Sequence, residues 1–346
     1  MSSAALNYNS DPVSEFHQAM ADAGIFSNEA PIADGQLHRF KADGDKIGSK
    51  NGWYILFNDG NPAGSFGSWK YGVSETWSLK NYKDFTPQQK AEYAKQMAQA
   101  KTEREKAQAV AHKEARAAAN RLWSEASSET GNHKYLQDKG VQAYKIRSNG
   151  ADLLIPLRDS GGTLHSIQTI DEQGKKLFLS GSAIRGHYFG IGKPNGKMVI
   201  AEGYSTAASI YESTGLAVAV AFNSGNLTKV AKALRGKYPG IEIIIAGDND
   251  TQTEGNPGKS KATEAAKAVN GRLVIPEFKD KSNGATDFND LHLLEGLESV
   301  KEQINNHLSV PPVNESNNSL SVEPISLDIQ IPLKLQKKYL RAGLVT

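Results

Sequence analysis

The sequence predicts an α/β protein: a parallel sheet flanked by helices, preceded by a small antiparallel β-rich region and a long helix. Three observations carry this expectation. From Lys197 to about His307, near-continuous apolar strands alternate with helical segments, the pattern of a parallel sheet covered on both faces. Short, partly alternating strands bounded by turn residues lie within 52–71 and 152–179. Between those regions, Thr86 to about Ala126 is dominated by Ala, Glu, Lys, Gln and Arg, all strong helix formers.

The first unit, residues 1–84, is a small aromatic-rich β module. Gly52 to Phe57 reads as a strand, Asn58-Asp59-Gly60-Asn61-Pro62 as a turn, and Ala63 to Tyr71 as a second strand. Three of the four tryptophans (Trp53, Trp69, Trp77) fall here. Packing of a small sheet is preferred to stacking on single-stranded bases, for which Lys50, Lys70 and Lys80 would supply the cations.

Residues 85–130 form the long charged helix. Thr86, Pro87 and Gln89 supply a cap, a proline at the first helical position and a reciprocal cap at the third. Apolar positions beyond alanine are sparse, so a mostly exposed connecting helix is expected, and its basic residues outnumber its acids. Residues 131–196 contain strands at 152–157, 164–170 and 176–179. Residues 197–308 carry strands at 197–201, 216–222, 241–246 and 272–276, with helices at 205–213, 227–234, 259–269 and 291–307. Residues 309–346 read as a linker and a basic tail.

Net charge is only +2, so attraction to phosphate must come from local clusters. The absence of cysteine excludes disulfides, a cysteine nucleophile and thiolate-ligated zinc or iron–sulfur centres. No stretch approaches the roughly 20 apolar residues needed to span a bilayer, and the amino terminus lacks a secretion signal. A cytoplasmic location with no membrane partner is the expectation.

Ligands of an open parallel sheet gather at the carboxyl ends of its strands. Glu202 ends one strand there, followed by Gly203. Asp248 and Asp250 end another. Clustered carboxylates repel and resist desolvation unless a hard cation offsets them. Magnesium accepts such ligands while keeping waters and binding substrate phosphates. These three residues are therefore candidates for a magnesium centre of phosphodiester chemistry, with Glu202 moving the proton. Helix capping is the competing account of acidic residues at strand ends.

The stretch from about 197 to 292 resembles the toprim domain of bacterial primases, topoisomerases and certain nucleases. Glu202-Gly203 and Asp248-Asn249-Asp250 match that family's glutamate-glycine and Asp-x-Asp motifs. The resemblance implies a glutamate acting as acid/base and aspartates holding magnesium, with manganese as an alternative ion. It is closest to the primase-like toprim proteins of plasmids and phages. His133-Lys134-Tyr135-Leu136 with Lys139-Gly140-Val141 resembles the entry to their catalytic region. Gln168 with Gly174 to Phe178 resembles their pre-toprim hairpin, and Thr286-Asp287-Phe288-Asn289-Asp290-Leu291 their closing acidic motif. Residues 131–196 would then be the primase-like amino-terminal part of a catalytic core. Their zinc-binding domain has no counterpart in a chain without cysteine, and no helicase motor is visible.

Asp287 is a further metal candidate, while Asp290, ranked below it, could equally cap the terminal helix. Lys175, Lys176, Arg185 and His187 form a loose basic group before the parallel sheet, and Lys259 and Lys261 begin the helix after the Asp-x-Asp. All six are candidate contacts to nucleotide or DNA, with ordinary solvation as the alternative. Gly255 to Ser260 is rejected as a P-loop because Thr253 stands where the pattern needs glycine. The leading expectation is a primase-type nucleotidyltransferase making short RNA primers from nucleoside triphosphates on single-stranded DNA. A replicative helicase or a separate template-binding module would be its partner. The alternatives are a magnesium nuclease and a non-catalytic DNA-binding replication accessory. A topoisomerase is disfavoured because no gate-forming domain with a tyrosine nucleophile is recognisable.

Overall fold

The computed structural model describes residues 11–42, 50–59, 61–69, 73–280 and 284–307. The linker and basic tail expected at 309–346, and Lys70, lie outside the described residues.

The amino-terminal module opens with α1 (Pro12–Asp22), whose Asp11 side chain accepts from the amides of Val13 and Ser14. Strands β1 (His38–Phe40), β2 (Gly52–Phe57), β3 (Ala63–Ser68) and β4 (Val73–Ser78) form an antiparallel sheet in that order. Its alternation serves two faces. Tyr54, Leu56 and Phe66 pack with Phe16 and Met20 of α1, while Ile55 and Phe57 pack with Ala100. The indoles belong to this packing. Trp53 is buried and stacked on Trp69, and Trp77 meets Phe16 edge-on. Guanidinium groups cover the outer pair, Arg39 at 4.5 Å from the Trp69 centroid and Arg104 at 5.2 Å from that of Trp53.

Helix α2 (Pro87–Glu125) starts with the expected Thr86–Gln89 capping box. Its 39 residues make it roughly 60 Å long. It is mostly exposed, yet it touches the body through small residues. Ala100 lies against the first sheet, and Ala119, with Leu122 and Trp123, against Leu154, Leu164 and Ile167. These three belong to the second sheet, β5 (Arg147–Ser148), β6 (Leu153–Arg158), β7 (Leu164–Ile170) and β8 (Lys176–Phe178), which is antiparallel in that order. A short helix, α3 (Lys134–Asp138), precedes it, capped by His133.

The third sheet has the order β13-β12-β10-β11-β9. It comprises β9 (Phe189–Ile191), β10 (Lys197–Ala201), β11 (Ala217–Val220), β12 (Glu242–Ala246) and β13 (Arg272–Val274). Only β9 is antiparallel to its neighbour. Helices α4 (Tyr204–Thr214), α5 (Ser224–Lys237), α6 (Pro257–Ala268), α7 (Phe288–Glu295) and α8 (Leu297–His307) cover both faces. Val199, Ala201, Val218 and Ile244 pack toward Ala207, Ile210, Leu291 and Val300. The intervening Met198, Ile200, Ala219 and Ile245 pack toward Leu227, Val230, Ala262 and Ala266. The predicted closing helix at 291–307 is two helices, because Gly296 adopts φ +88° between them. No helix among the described residues is long and apolar enough to cross a membrane.

Glycine spacing in β3 makes one test. A Cβ at Gly67 would lie 2.1 Å from the Val73 carbonyl oxygen and 2.7 Å from the Trp53 ring, whereas one at Gly240 meets nothing within 4 Å. Gly67→Ala is expected to destabilise the amino-terminal module by about 1–3 kcal/mol, the usual cost of overpacking. Gly240→Ala should stay within about 0.5 kcal/mol of wild type. Urea unfolding followed by tryptophan fluorescence measures both.

A candidate catalytic centre at the strand ends

Parallel pairing of β10 with both neighbours places Ala201 opposite Val220 and Ala246. The residues that follow therefore leave the sheet side by side. Glu202 follows β10, and Gly247-Asp248-Asn249-Asp250 follows β12. The Asn249 amide donates to the Thr286 carbonyl at 2.7 Å, which brings the segment before α7 to the same edge. Glu202, Asp248, Asp250 and Asp287 thus share one electrostatic environment, with Lys176 of β8 and Lys139 as the nearby cations.

Three of these carboxylates meet the amino terminus of a helix, where free amides and the helix dipole favour negative charge. Glu202 interacts with the Ser224 amide at the start of α5. Asp250 Oδ2 accepts from the Gly258 amide of α6 at 3.1 Å. A Cβ at Gly258 would lie 2.7 Å from the Asp248 carbonyl oxygen and 2.8 Å from Asp250 Oδ2, so glycine allows this close approach. Asp287 caps α7, accepting from the amides of Asn289 (2.7 Å) and Asp290 (2.9 Å) with Oδ1 and from the Thr206 hydroxyl (3.1 Å) with Oδ2. Asp248 has no such helix.

The titration behaviour follows. Burial, reinforced by Asp250 and Asp287, pushes Glu202 up to about 7. Burial, reinforced by Glu202, Asp287 and Asp250, pushes Asp248 up to about 8. Burial and Asp290 also raise Asp287. Lys176 opposes the shifts of Glu202 and Asp248 without cancelling them. Glu202 Oε1 and Asp248 Oδ1 are buried without a hydrogen-bond partner. Such atoms cost free energy unless something absent from the bare chain binds them.

The expected ligand set is modified by this geometry. Among the described residues, no three histidine, aspartate or glutamate side chains converge on one point able to hold a metal ion. Both oxygens of Asp287 accept hydrogen bonds, which makes it a helix cap and a source of negative field at this edge. Asp290 completes the capping box from the other side, its Oδ2 accepting from the Thr286 amide at 2.9 Å. The open oxygens belong to Glu202 and Asp248, while Asp250 commits one of its two to α6. A set of this size suits magnesium, which takes one or two carboxylates and completes its shell with water and substrate phosphate.

The basic candidates disperse. Lys176 lies by the carboxylates, its Nζ 3.6 Å from where a Cβ of Gly203 would be and 6.0 Å from the ring centroid of buried Tyr135. Lys175 is exposed, and its backbone amide binds Asp171. Lys261 pairs with Glu264 at 3.0 Å on its own helix, and Lys259 is exposed in the first turn of α6. His187 belongs to a separate group, with its ring stacked 4.1 Å from that of His165. Burial and His165 lower its pKa. Arg185 is exposed on the loop before β9. Tyr204 is buried, donating to the Gln142 carbonyl and accepting from the Tyr144 amide, both at 2.8 Å.

Sequence reasoning missed Asn256 and Thr206. Asn256 caps α6 and also binds the Asp250 amide and the Asn249 side chain, which makes it the brace of the acidic loop. Asparagine followed by Pro257 is a helix-start signal that would have identified it. Thr206 carries no such signal, since it reaches Asp287 across 81 residues.

The toprim domain family matches residues 197–298. Two Escherichia coli proteins, each a DNA primase TraC, are 37% and 38% identical over 290 and 294 residues, in each case 79% of this chain. The chain spans only 27% and 20% of their lengths. Among solved structures, the zinc-binding and RNA polymerase domains of the Aquifex aeolicus primase align at 12% identity and a TM-score of 0.36, covering 86% of this chain and 85% of that one. Residues 197–298 are therefore a toprim domain, set in a primase-like chain that is similar over most of its length to DNA primases.

Proposed function

We propose that the carboxylate centre catalyses nucleotidyl transfer, joining nucleoside triphosphates into short RNA primers on single-stranded DNA with a divalent cation, magnesium in the first instance. The observation that carries this reading is the pair of buried, unpartnered oxygens on Glu202 and Asp248 at the ends of adjacent parallel strands. The similarity to DNA primases supports it.

Glu202 and Asp248 would hold the ion, with the free oxygen of Asp250 beside them. When bound, it supplies charge neutralisation at the transferring phosphoryl group and lowers the pKa of an attacking hydroxyl. The rest falls to the chain. Glu202, on a separate strand from the paired aspartates, would take the proton of a primer 3′-hydroxyl. Asp250 and Asp287 keep the helix starts, and with them the loops, in place. Lys176 offers a cation to phosphate beside the acidic edge. A replicative helicase or a separate template-binding module would present the template.

In the ion-free protein the pH dependence has a definite sign. Glu202 and Asp248 titrate near 4.5 and 3.8 when unperturbed but at about 7 and 8 in the fold. Across that window the folded chain binds more protons than the unfolded one, so stability falls as pH rises. Asp248→Asn should flatten this slope and, at pH 8, stabilise the ion-free protein by about 1–3 kcal/mol, the cost of a buried unsatisfied group. Thermal unfolding in chelator from pH 5 to 9 measures it. An ordinary helix cap or salt bridge at Asp248 predicts the opposite, a less stable variant.

Activity gives the direct test. Labelled nucleoside triphosphates, single-stranded DNA and magnesium should yield primers with wild-type protein. Glu202→Gln and Asp248→Asn should lower the rate by at least about 10²-fold while remaining folded. Magnesium at 100 times its dissociation constant should stabilise wild type by about 2.7 kcal/mol, and Asp248→Asn should lose most of that gain. Cleavage without synthesis would reassign the centre to a nuclease. Synthesis at wild-type rate by both variants would remove it as the active site.

A further inference from the structure

Four non-glycine residues among those described have a positive φ: Lys145, Phe222, Asn256 and Asn270. Asparagine tolerates that region through its short polar side chain, and Lys145 is exposed at a bend. Phe222 is different. It is a bulky residue, 9% exposed, held at φ +72°, a conformation that persists only where the surrounding structure imposes it. Its place in the chain is next to the carboxylates. Strand β11 ends at Val220, and the Ala221 amide donates to the Ala201 carbonyl at 2.8 Å, which carries the β10–β11 ladder to the residue before Glu202. Phe222 then turns the chain. Asn223 returns to extended backbone (φ −163°), and α5 begins at Ser224, whose amide meets Glu202. With so short a turn, the left-handed backbone at Phe222 fixes the direction from which that amide approaches.

Glycine would adopt this conformation with less strain, and the ring supplies the reason for a phenylalanine. It belongs to the core shared by the second and third sheets, where it meets Phe178 edge-on with centroids 5.9 Å apart. Phe178 follows Lys176 by two residues on β8, so the two side chains share one face of that strand. Their contacts run in step. Lys176 reaches Gly203, next to Glu202, and Phe178 reaches Phe222. Strand β8 is thereby seated across the ends of β10 and β11. It is an edge strand, hydrogen-bonded to β7, so side chains and not a ladder hold it against the third sheet.

We propose that Phe222 is a positioning residue of the carboxylate centre: its left-handed backbone aims the start of α5 at Glu202, and its ring fastens that turn to Phe178, so that the seating of β8 sets Glu202 in place. This rests on the nucleotidyl-transfer reading of that centre. A residue in this role touches no substrate. It holds Glu202 against one amide, so loosening it slows the chemical step while leaving nucleotide binding nearly as it was.

The test is a double-mutant cycle on the full chain, using Phe178→Ala, Phe222→Ala and the double variant, with folding checked by circular dichroism. Amide hydrogen exchange reads the position directly. Both single variants should speed exchange of the peptide spanning 222–226 by about tenfold, while peptides from β12 and α6 keep wild-type protection. Primer synthesis with magnesium, normalised to folded protein, should show kcat lowered by about tenfold to 10²-fold, with KM for nucleotide within about twofold of wild type. The double variant should be no slower than the worse single one. Phe178→Tyr, which keeps the ring, should rescue both readouts. Phe222→Gly separates backbone from ring: it relieves the strained turn, so it should melt above Phe222→Ala and yet be no faster in synthesis. Should Phe222→Ala not fold, Phe222→Leu, which keeps apolar bulk without the ring, replaces it. Unchanged exchange at 222–226 in folded variants, additive effects on the rate, or a glycine variant that regains rate together with stability would overturn the assignment. The exchange measurement needs no activity, so the two readings separate. Coupled exchange with no synthesis by wild type removes the primase reading and leaves the role of Phe222 in placing the start of α5. Synthesis by wild type with unchanged exchange in both variants does the reverse.

Discussion

Everything at the acidic edge depends on burying negative charge next to negative charge. Four carboxylates gather there against two nearby lysines, Lys176 and Lys139. Repulsion and desolvation at that density would push the strand-end loops apart if nothing offset them. The fold's answer is to aim helix amino termini at the edge. The starts of α5, α6 and α7 each provide amides to one carboxylate, Glu202, Asp250 and Asp287 respectively. Asp248 is left without one, and its pKa is raised to about 8. The open oxygens of Asp248 and Glu202 are the part of the structure that the bare polypeptide does not complete.

That arrangement is paid for by the apolar sheet beneath it. β10 and β12 are central, their side chains alternate between two fully covered faces, and their register leaves Glu202 and Gly247 level. Polar contacts then hold the loops at second hand. Asn256 braces the Asp-x-Asp segment, Thr206 fixes Asp287, and Asn289 donates to the Lys139 carbonyl at 2.7 Å, joining α7 to the end of α3. The motif running from Thr286 to Asp290 is for the most part a clasp, with Phe288 fully buried.

The amino-terminal half meets this centre through packed surfaces as well as through hydrogen bonds such as those of Asn289 and Tyr204. Helix α2 joins the first sheet to the second through alanines, which permit close approach at little side-chain entropy. The second sheet brings Lys176 to Gly203, with Tyr135 beneath it. The tryptophans, which in sequence suggest either a core or a base-stacking surface, are used as core and covered by arginines, because alternation along β2 sends Trp53 toward α2.

The sequence by itself determined the long helix and the alternating strands and helices of the parallel sheet, but not α1, β1, β4, α3, β5 or β9. Apolar strands, helix formers and the Thr86 cap are local signals, and the parallel sheet, the long helix and the strand-end positions of Glu202, Asp248 and Asp250 all follow from them. Helix ends were less legible, since the break at Gly296 and the cap at Asp287 depend on backbone angles that residue types only bias. The tertiary structure alone decided which candidates meet. Lys176 reaches the carboxylates, whereas Lys261 turns to Glu264 and His187 to His165. It also decided that Asp287 spends both oxygens on hydrogen bonds, and that Asn226, unremarkable in sequence, grips a loop some 40 residues away. Periodicity and capping are written within a few neighbouring residues. The protonation of a carboxylate and the partner of a cation are set by burial and by charges that only the folded chain brings together.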